Sequence, residues 1–562
     1  MKTRIALLLS LALAAELVRA VPEIKLNAAE EVWNIRAPTP VSWYGREEPP
    51  KALDLSIATF APKSRGRGVV MAEVVAVNAL ACRREFTLTL MDISRDFALE
   101  PNGRAHFLMP IPAHTYQYSK LVERTGGRRI ENSLALSYSH PYRDSNRKFL
   151  LISSAFQAEP VARTFRQGES ASLTPKQKAR AHSPLQNSYR VGILARPPRE
   201  WPADPRCYSP YDAVILSETD WQDLGLATRE ALELYRLSGG FLLRTSASPD
   251  GGLPATLDPR KLHADLSNAS KTLYDSEQTA FKTSMANEYF PIGSITTIPI
   301  TTLLVILTVF AVGCVPFCVW RMARRGRRLH LLGVLPAAAV GFTLVIVAIA
   351  LGVYGVTPSI RVQSVTDLDQ TTGLAATTGH CAIYSPVSLD GKLHLPADCG
   401  ILPVPGRDMG TVRIGADLTL DGNDWAPPLT FSLIGVSRQR RLRERLDVVR
   451  AADGTVTVAN LLGAKVLSGC LTLDGRLYRF NDLAAGAKQT LKPKEGKAST
   501  LNLRLHDKTW AEKVRQFDTA VPAEGRYFAL LEGDPFIPPP LGALKVKGSS
   551  NAIVRGLFGS GK

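Results

Sequence analysis

Glu218 and Asp220 directly follow the apolar run Ala213–Leu216 (AVIL), and they are the carboxylates best placed to meet a ligand. In open α/β sheets, ligands bind beyond the carboxyl ends of parallel strands. The same two acids also suit a turn leading into the next helix, where negative charge is favoured, and both readings stay open. The string RQRRLRER (438–445) offers a second chemistry. Arg438, Arg440, Arg441, Arg443 and Arg445 could grip phosphate or carboxylate by bidentate hydrogen bonds, or they could be a charged strand edge that discourages sheet-to-sheet pairing. Catalytic chemistry has less to work with. Cys207 lies in the Pro-rich DPRCYSP before the AVIL strand, and one histidine, His263, stands in the same stretch. The nine histidines are scattered without HExxH or metal-ligand spacing, and Ser238 before Gly239 and Gly240 does not make a GxSxG elbow. No catalytic residue, metal ligand or cofactor is therefore assigned, and the enzyme question leans toward no.

Seven cysteines are present and none has CxxC spacing. Cys314 and Cys318 are one helical turn apart in an apolar stretch, where small polarizable side chains serve packing. Cys381 and Cys399 are symmetric about Asp390, within the turn-like Leu389, Asp390, Gly391. A hairpin there would place them nearly opposite each other, so a Cys381–Cys399 disulfide is expected.

The elements that must position these residues follow from charge and periodicity. No charged side chain stands between Glu288 and Arg321, or between Arg328 and Arg361. Each stretch exceeds the roughly 20 apolar residues needed to cross a bilayer. Between them RMARRGRR supplies Arg321, Arg324, Arg325, Arg327 and Arg328, and arginine-rich short loops stay cytoplasmic. The expected order is a two-helix hairpin, 295–320 and 330–356, around a basic turn at 321–329, with both large flanking regions outside the cytoplasm. Met1–Ala20 has a basic start and an apolar run, Ile5–Ala15, and ends on a small residue. This reads as a cleavable signal peptide, with an uncleaved anchor as the alternative.

Residues 21–162 carry short β-branched runs (53–60, 69–77, 85–92) and read as a β-sandwich. Polar residues 163–185 read as a linker, as do 266–294. Residues 357–545 return to short strands with Asp-Gly turns at Asp421, Asp453 and Asp474, a β-rich sandwich domain. The basic, Gly/Ser-containing residues 546–562 read as a flexible tail.

Between the linkers, 186–265 changes character. Val191, Ile193, Leu194 and the AVIL run lack polar alternation; Ala227, Ala231, Leu234 and Tyr235 repeat at helical spacing; Gly239 and Gly240 stop the helix and FLL (241–243) resumes a strand. This β-α-β pattern implies a parallel sheet covered by helices. The strings YDAVILSETDW (211–221) and TREALELYRLSGGFLL (228–243) resemble the core of class I glutamine amidotransferase-like domains in bacterial inner-membrane proteins. VPFCVWRMARRGRRLHLLGVLP (315–336) and HCAIYSPVS (380–388) are similar to later segments of the same proteins. The resemblance spans about 186–490 and implies a sandwich, an amidotransferase-like domain, a membrane hairpin and a β-rich domain in that order. The family's catalytic cysteine, histidine and glutamate have no counterpart here, because Cys207 precedes its strand instead of following it.

Charge narrows the partners. Lys and Arg number 68 against 51 Asp and Glu, a net +17. A basic exterior suits anionic lipid headgroups or wall polymers. Export and the lack of a recognition motif exclude nucleic acid. The expected role is a non-enzymatic binding or scaffolding component in the bacterial inner membrane, with membrane lipids and envelope proteins as partners. The alternatives are an accessory subunit of an ABC-type export system, beside its permease and ATPase, or an enzyme acting on envelope polymers.

Overall fold

The computed structural model describes residues 39–40, 42–44, 52–59, 69–90, 93–112, 119–125, 128–135, 148–172, 191–278, 300–325, 331–354, 358–385, 393–396, 398–402, 411–414, 420–423, 430–451, 454–492, 522–540 and 547–558. The expected signal peptide, the Leu389–Gly391 turn, Asp453, and Arg327 and Arg328 lie outside these residues. The parts form a β-rich multidomain protein with mixed sheets, an α/β unit and apolar helices.

The α/β unit is a four-stranded parallel sheet in the order 191–196, 148–153, 213–216, 241–244. Successive side chains of a strand point to opposite faces. Phe149, Leu151, Val214 and Leu216 enter one cluster with helix Leu226–Leu237, while Leu150, Ile152, Ala213 and Ile215 enter another with helices Ala158–Ser172 and Pro259–Gln278. Burial on both faces is why these strands read as continuous apolar runs. After Leu237 the chain stops where expected. Gly239 has φ +99°, and a Cβ on Gly240 would stand 2.1 Å from the Tyr235 ring.

The unit begins earlier than its expected start at 186. Lys148–Ser153 is the first strand of its sheet, not of a sandwich, and helix Ala158–Ser172 fills the first half of the expected linker. That helix looks like a linker in sequence because Val161, Ala162 and Phe165 are almost its whole apolar face. Helix Pro259–Gln278 likewise occupies the start of the expected 266–294 linker, buried through Leu262 and Leu266.

The β regions before and after the apolar helices are not separate domains. Thr411–Ile414 pairs in parallel with Ile93–Leu99, and Leu393–Leu395 and Leu420–Asn423 extend the same eight-stranded sheet. One core holds Leu88, Met109 and Leu121 from before the helices together with Ile383, Ile414 and Val436 from after them. A second eight-stranded sheet, from Cys399–Leu402 to Arg476–Leu483, presents one half to this core. Its other half faces a cluster shared with the small sheet 445–450, 456–461, 488–491.

Turn chemistry is mixed. Asp474 and Gly475, both with positive φ, close the hairpin between Lys465–Leu473 and Arg476–Leu483 as expected. Asp421 and Gly422 instead lie within a strand. The expected flexible tail is a central strand. Lys547–Leu557 runs parallel to Ser359–Asp369 and antiparallel to Arg526–Glu532, with Ala552 and Val554 fully buried.

Among the described residues, one helix, Leu304–Arg324, is long and apolar enough to cross a membrane. It continues four residues past its expected end at 320. Pro316 has no N–H to give the preceding turn, and Val309–Cys314 widens there to π geometry. The shorter apolar stretch Leu332–Ala348 lies within the helix Leu331–Tyr354. The Phe310 and Phe342 rings of the two helices meet at 4.8 Å.

Candidate functional site

In the strand order of the α/β sheet, the chain leaves strand 148–153 toward one edge and returns to its other side as 213–216. The crevice between these two carboxyl ends is the topological switch point, where such folds bind ligands. Ser153 closes the first strand and Ser217 follows the second. Ser217 Oγ caps helix Glu218–Asp223 by accepting from the Asp220 backbone N–H at 3.0 Å, and it lies 2.8 Å from Thr219 Oγ1. Ser153 Oγ donates to Asp220 Oδ2 at 2.6 Å. Ser153 is fully buried, so its hydroxyl serves Asp220 and not a substrate. Glu218 is exposed. Two positions apart on a helix the carboxylates diverge, so they do not form a pair for acid–base work. Arg244 lies beside this end, its guanidinium 4.8 Å from the Trp221 ring centroid.

The arrangement is therefore a lock between strand ends, with Asp220 as its acceptor. Replacing Ser153 with Ala or Asp220 with Ala should each cost about 1–2 kcal/mol, as expected for loss of a hydrogen bond to a partly exposed carboxylate. In a thermal-unfolding cycle the S153A/D220A double variant should lose less than the sum of the single losses; strict additivity would mean the bond contributes nothing.

Cys207 and His263 do not meet. Cys207, on the 3-10 turn Pro205–Tyr208, packs in the cluster on one face of the sheet, and His263 is carried by a helix on the other. Burial pushes the Cys207 thiol well up, so it stays protonated, and burial followed by the charge of Lys148 pushes the His263 imidazole down. Among the described residues no three His, Cys, Asp or Glu are grouped to hold a metal ion.

The basic string 438–445 is largely engaged within the fold. Arg438 Nε donates to Asp398 Oδ2 at 2.8 Å and its Nη1 to the Phe536 carbonyl at 3.1 Å. Gln439 Nε2 donates to Ser238 Oγ at 2.7 Å, and Arg441 Nε to Glu230 Oε1 at 3.2 Å, both on the α/β unit. Arg445 pairs with Asp447. Arg440 and Arg443 have no ion pair among the described residues. With Arg206, whose Nη1 donates to the Cys399 carbonyl at 2.8 Å, these contacts join the α/β unit to the large β sheet. The expected anion contact is thus corrected at Arg438, Arg441 and Arg445, whose charges already have carboxylate partners.

The expected disulfide is also corrected. Cys381 and Cys399 are free and buried. Strand Thr430–Arg441 lies between their strands, so Cys381 stands opposite Ile434 and Cys399 opposite Arg438. Strands two apart are separated by about 9–10 Å, beyond the reach of a disulfide. Burial pushes the Cys399 thiol up to about 12.

No family model matches this chain, and no curated relative does. Solved structures similar to parts of it include the yeast delta-COP-I mu-homology domain, alone and complexed with a Dsl1 WxWxV peptide. These have TM-scores of 0.20 and 0.19 at 7% identity, covering 36% of this chain and 95% and 96% of theirs. Likenesses this slight carry no argument about fold or activity.

Sequence reasoning missed Ser153, Arg206 and Asp398. Ser153 was the recoverable one, since a serine ending the apolar run FLLIS is a strand-end signal. Arg321, Arg324 and Arg325 end the spanning-length helix, with the first two in its last turn, where the helix dipole favours cations.

Proposed function

We propose that the chain is a two-span protein of the bacterial inner membrane. Its globular regions, before and after the spans, stand together outside the cytoplasm as a non-enzymatic binding or scaffolding component. The observation that carries this reading is the pairing of Ile93–Leu99 with Thr411–Ile414 inside one core. Segments sharing a sheet must lie on one side of a membrane, so an anchored chain crosses an even number of times between them. The apolar helices ending at Arg324 and Tyr354 supply two crossings, and the arginine turn between them is the part that stays cytoplasmic.

The non-enzymatic part rests on the site chemistry: a protonated, buried Cys207, an imidazole on the opposite face, and an Asp220 held by Ser153. A parallel sheet with helices on both faces is compatible with the amidotransferase-like resemblance. Large side chains remain exposed on both apolar helices, including Val312 at 71% and Leu344 at 63%. They suit lipid tails and the helices of membrane partners, an ABC-type permease among them.

A reporter active only in the cytoplasm should work when fused near Gly326 and fail after Val356 or at Lys562. Activity at Lys562 would put the region after the apolar helices in the cytoplasm and end this reading.

A further inference from the structure

We propose that Phe317, Trp320, Arg321 and Arg324 form a binding site for the phosphate of an anionic phospholipid headgroup, an inference that rests on the two-span reading. The four residues fall at i, i+3, i+4 and i+7 of helix Val315–Arg324 and so share one side. That side is exposed, whereas Cys314, Cys318 and Met322 are half-buried on another. Phe317 and Trp320 are 53% and 50% exposed, as lipid-contacting rings at a membrane interface would be.

The guanidiniums are held on these rings. Arg324 Cζ lies 4.1 Å from the Trp320 ring centroid, and Arg321 Cζ lies 5.9 Å from that of Phe317. A ring occupies only the face of a guanidinium; the N–H donors point outward in its plane, the geometry that phosphate oxygens accept. Stacking also orders the side chain before the ligand arrives, which lowers the entropy lost on binding.

Among the described residues nothing neutralises this charge. No Asp or Glu occurs from Tyr289 to Thr366, and among the described residues Arg321, Arg324 and Arg325 have no carboxylate partner. Among the described residues none supplies the complementary anion, so the site suits one from outside the chain. A phospholipid meets both halves of the site, with its phosphate at the arginines and its acyl chains along the apolar side chains toward the helix middle.

The test is native mass spectrometry of the full chain extracted from membranes of phosphatidylcholine mixed with phosphatidylglycerol. The wild type should retain phosphatidylglycerol preferentially. R321Q/R324Q should lower that retention by roughly tenfold or more. R321K/R324K, which keeps the charge but loses the fork and the ring stacking, should fall between the two. Equal retention of both lipids by the wild type, no loss in the Gln variant, or full retention in the Lys variant would each overturn the site. The Gly326 reporter, read on the same proteins, keeps the two ideas separate: a cytoplasmic reporter with unselective lipid retention rejects the site alone, and a non-cytoplasmic one rejects the topology.

Discussion

Deleting residues 546–562 should abolish folding of the β region that follows the apolar helices. A polar, basic terminus rich in Gly and Ser ordinarily tolerates truncation, but Lys547–Leu557 fills the gap between Ser359–Asp369 and Arg526–Glu532 and pairs with both. Its loss would strip two hydrogen-bonded ladders and leave the eight-stranded sheet in two pieces. It would also remove Val554, Ile553 and Phe558 from buried positions. At about 1.5–3 kcal/mol for each large apolar side chain, and with the ladders besides, the loss approaches the roughly 5–15 kcal/mol that holds a domain together. Gly556→Val is the single-residue counterpart. A Cβ there would stand 1.9 Å from the Tyr527 ring, which is itself fully buried, so the ring must leave the core. Limited proteolysis of detergent-extracted protein should show the region after Ser359 degraded in both variants. A deletion variant as resistant as the full chain would show that this strand does not hold the sheet together.

What was legible in the sequence is what local chemistry decides. AVIL, the helical spacing of Ala227 to Tyr235 and the Gly239–Gly240 stop each report a strand, a helix or a cap through neighbours within a few residues. They placed most of the α/β unit. Asp474–Gly475 did the same for one hairpin. The failures are contacts made over long separations. Asp220 is held by Ser153, 67 residues earlier, and no local pattern at 218–223 distinguishes a locked carboxylate from an open one. Cys381 and Cys399 looked symmetric about a turn, but the later strand Thr430–Arg441 inserts between theirs. In the tail, Ala552, Val554 and Gly556 face one buried side and alternate with Ile553, itself buried in a smaller cluster, and the half-exposed Arg555, but two of the first three are small. The buried face therefore had almost no hydrophobic signature, and the flanking Lys, Ser and Asn dominated the reading.

The second large effect concerns the chain's division by its apolar helices. Residues 1–294 expressed alone should fail to reach a stable fold, although they include the four strands of the α/β sheet. The strand Ile93–Leu99 would lose its neighbour Thr411–Ile414, and Leu88, Leu90 and Met109 would lose the facing Ile383, Ile434 and Val436. The α/β unit would in turn lose the partners of Arg206, Ser238 and Glu230. Removing one half of a shared core exposes a contiguous apolar surface of the kind that drives aggregation or proteolysis. Supplying residues 295–562 from a second gene, with both apolar helices and the arginines between them intact, should restore protease resistance to the first fragment. The two should then co-purify without a covalent link. A separately stable 1–294 fragment would mean that the two regions fold independently and dock afterwards. In that case the two regions would not need a shared core to fold, and their contact could form late or break. Rescue in trans would instead make the sheet that joins 93–95 to 412–414 the feature around which both the fold and the membrane topology are organised.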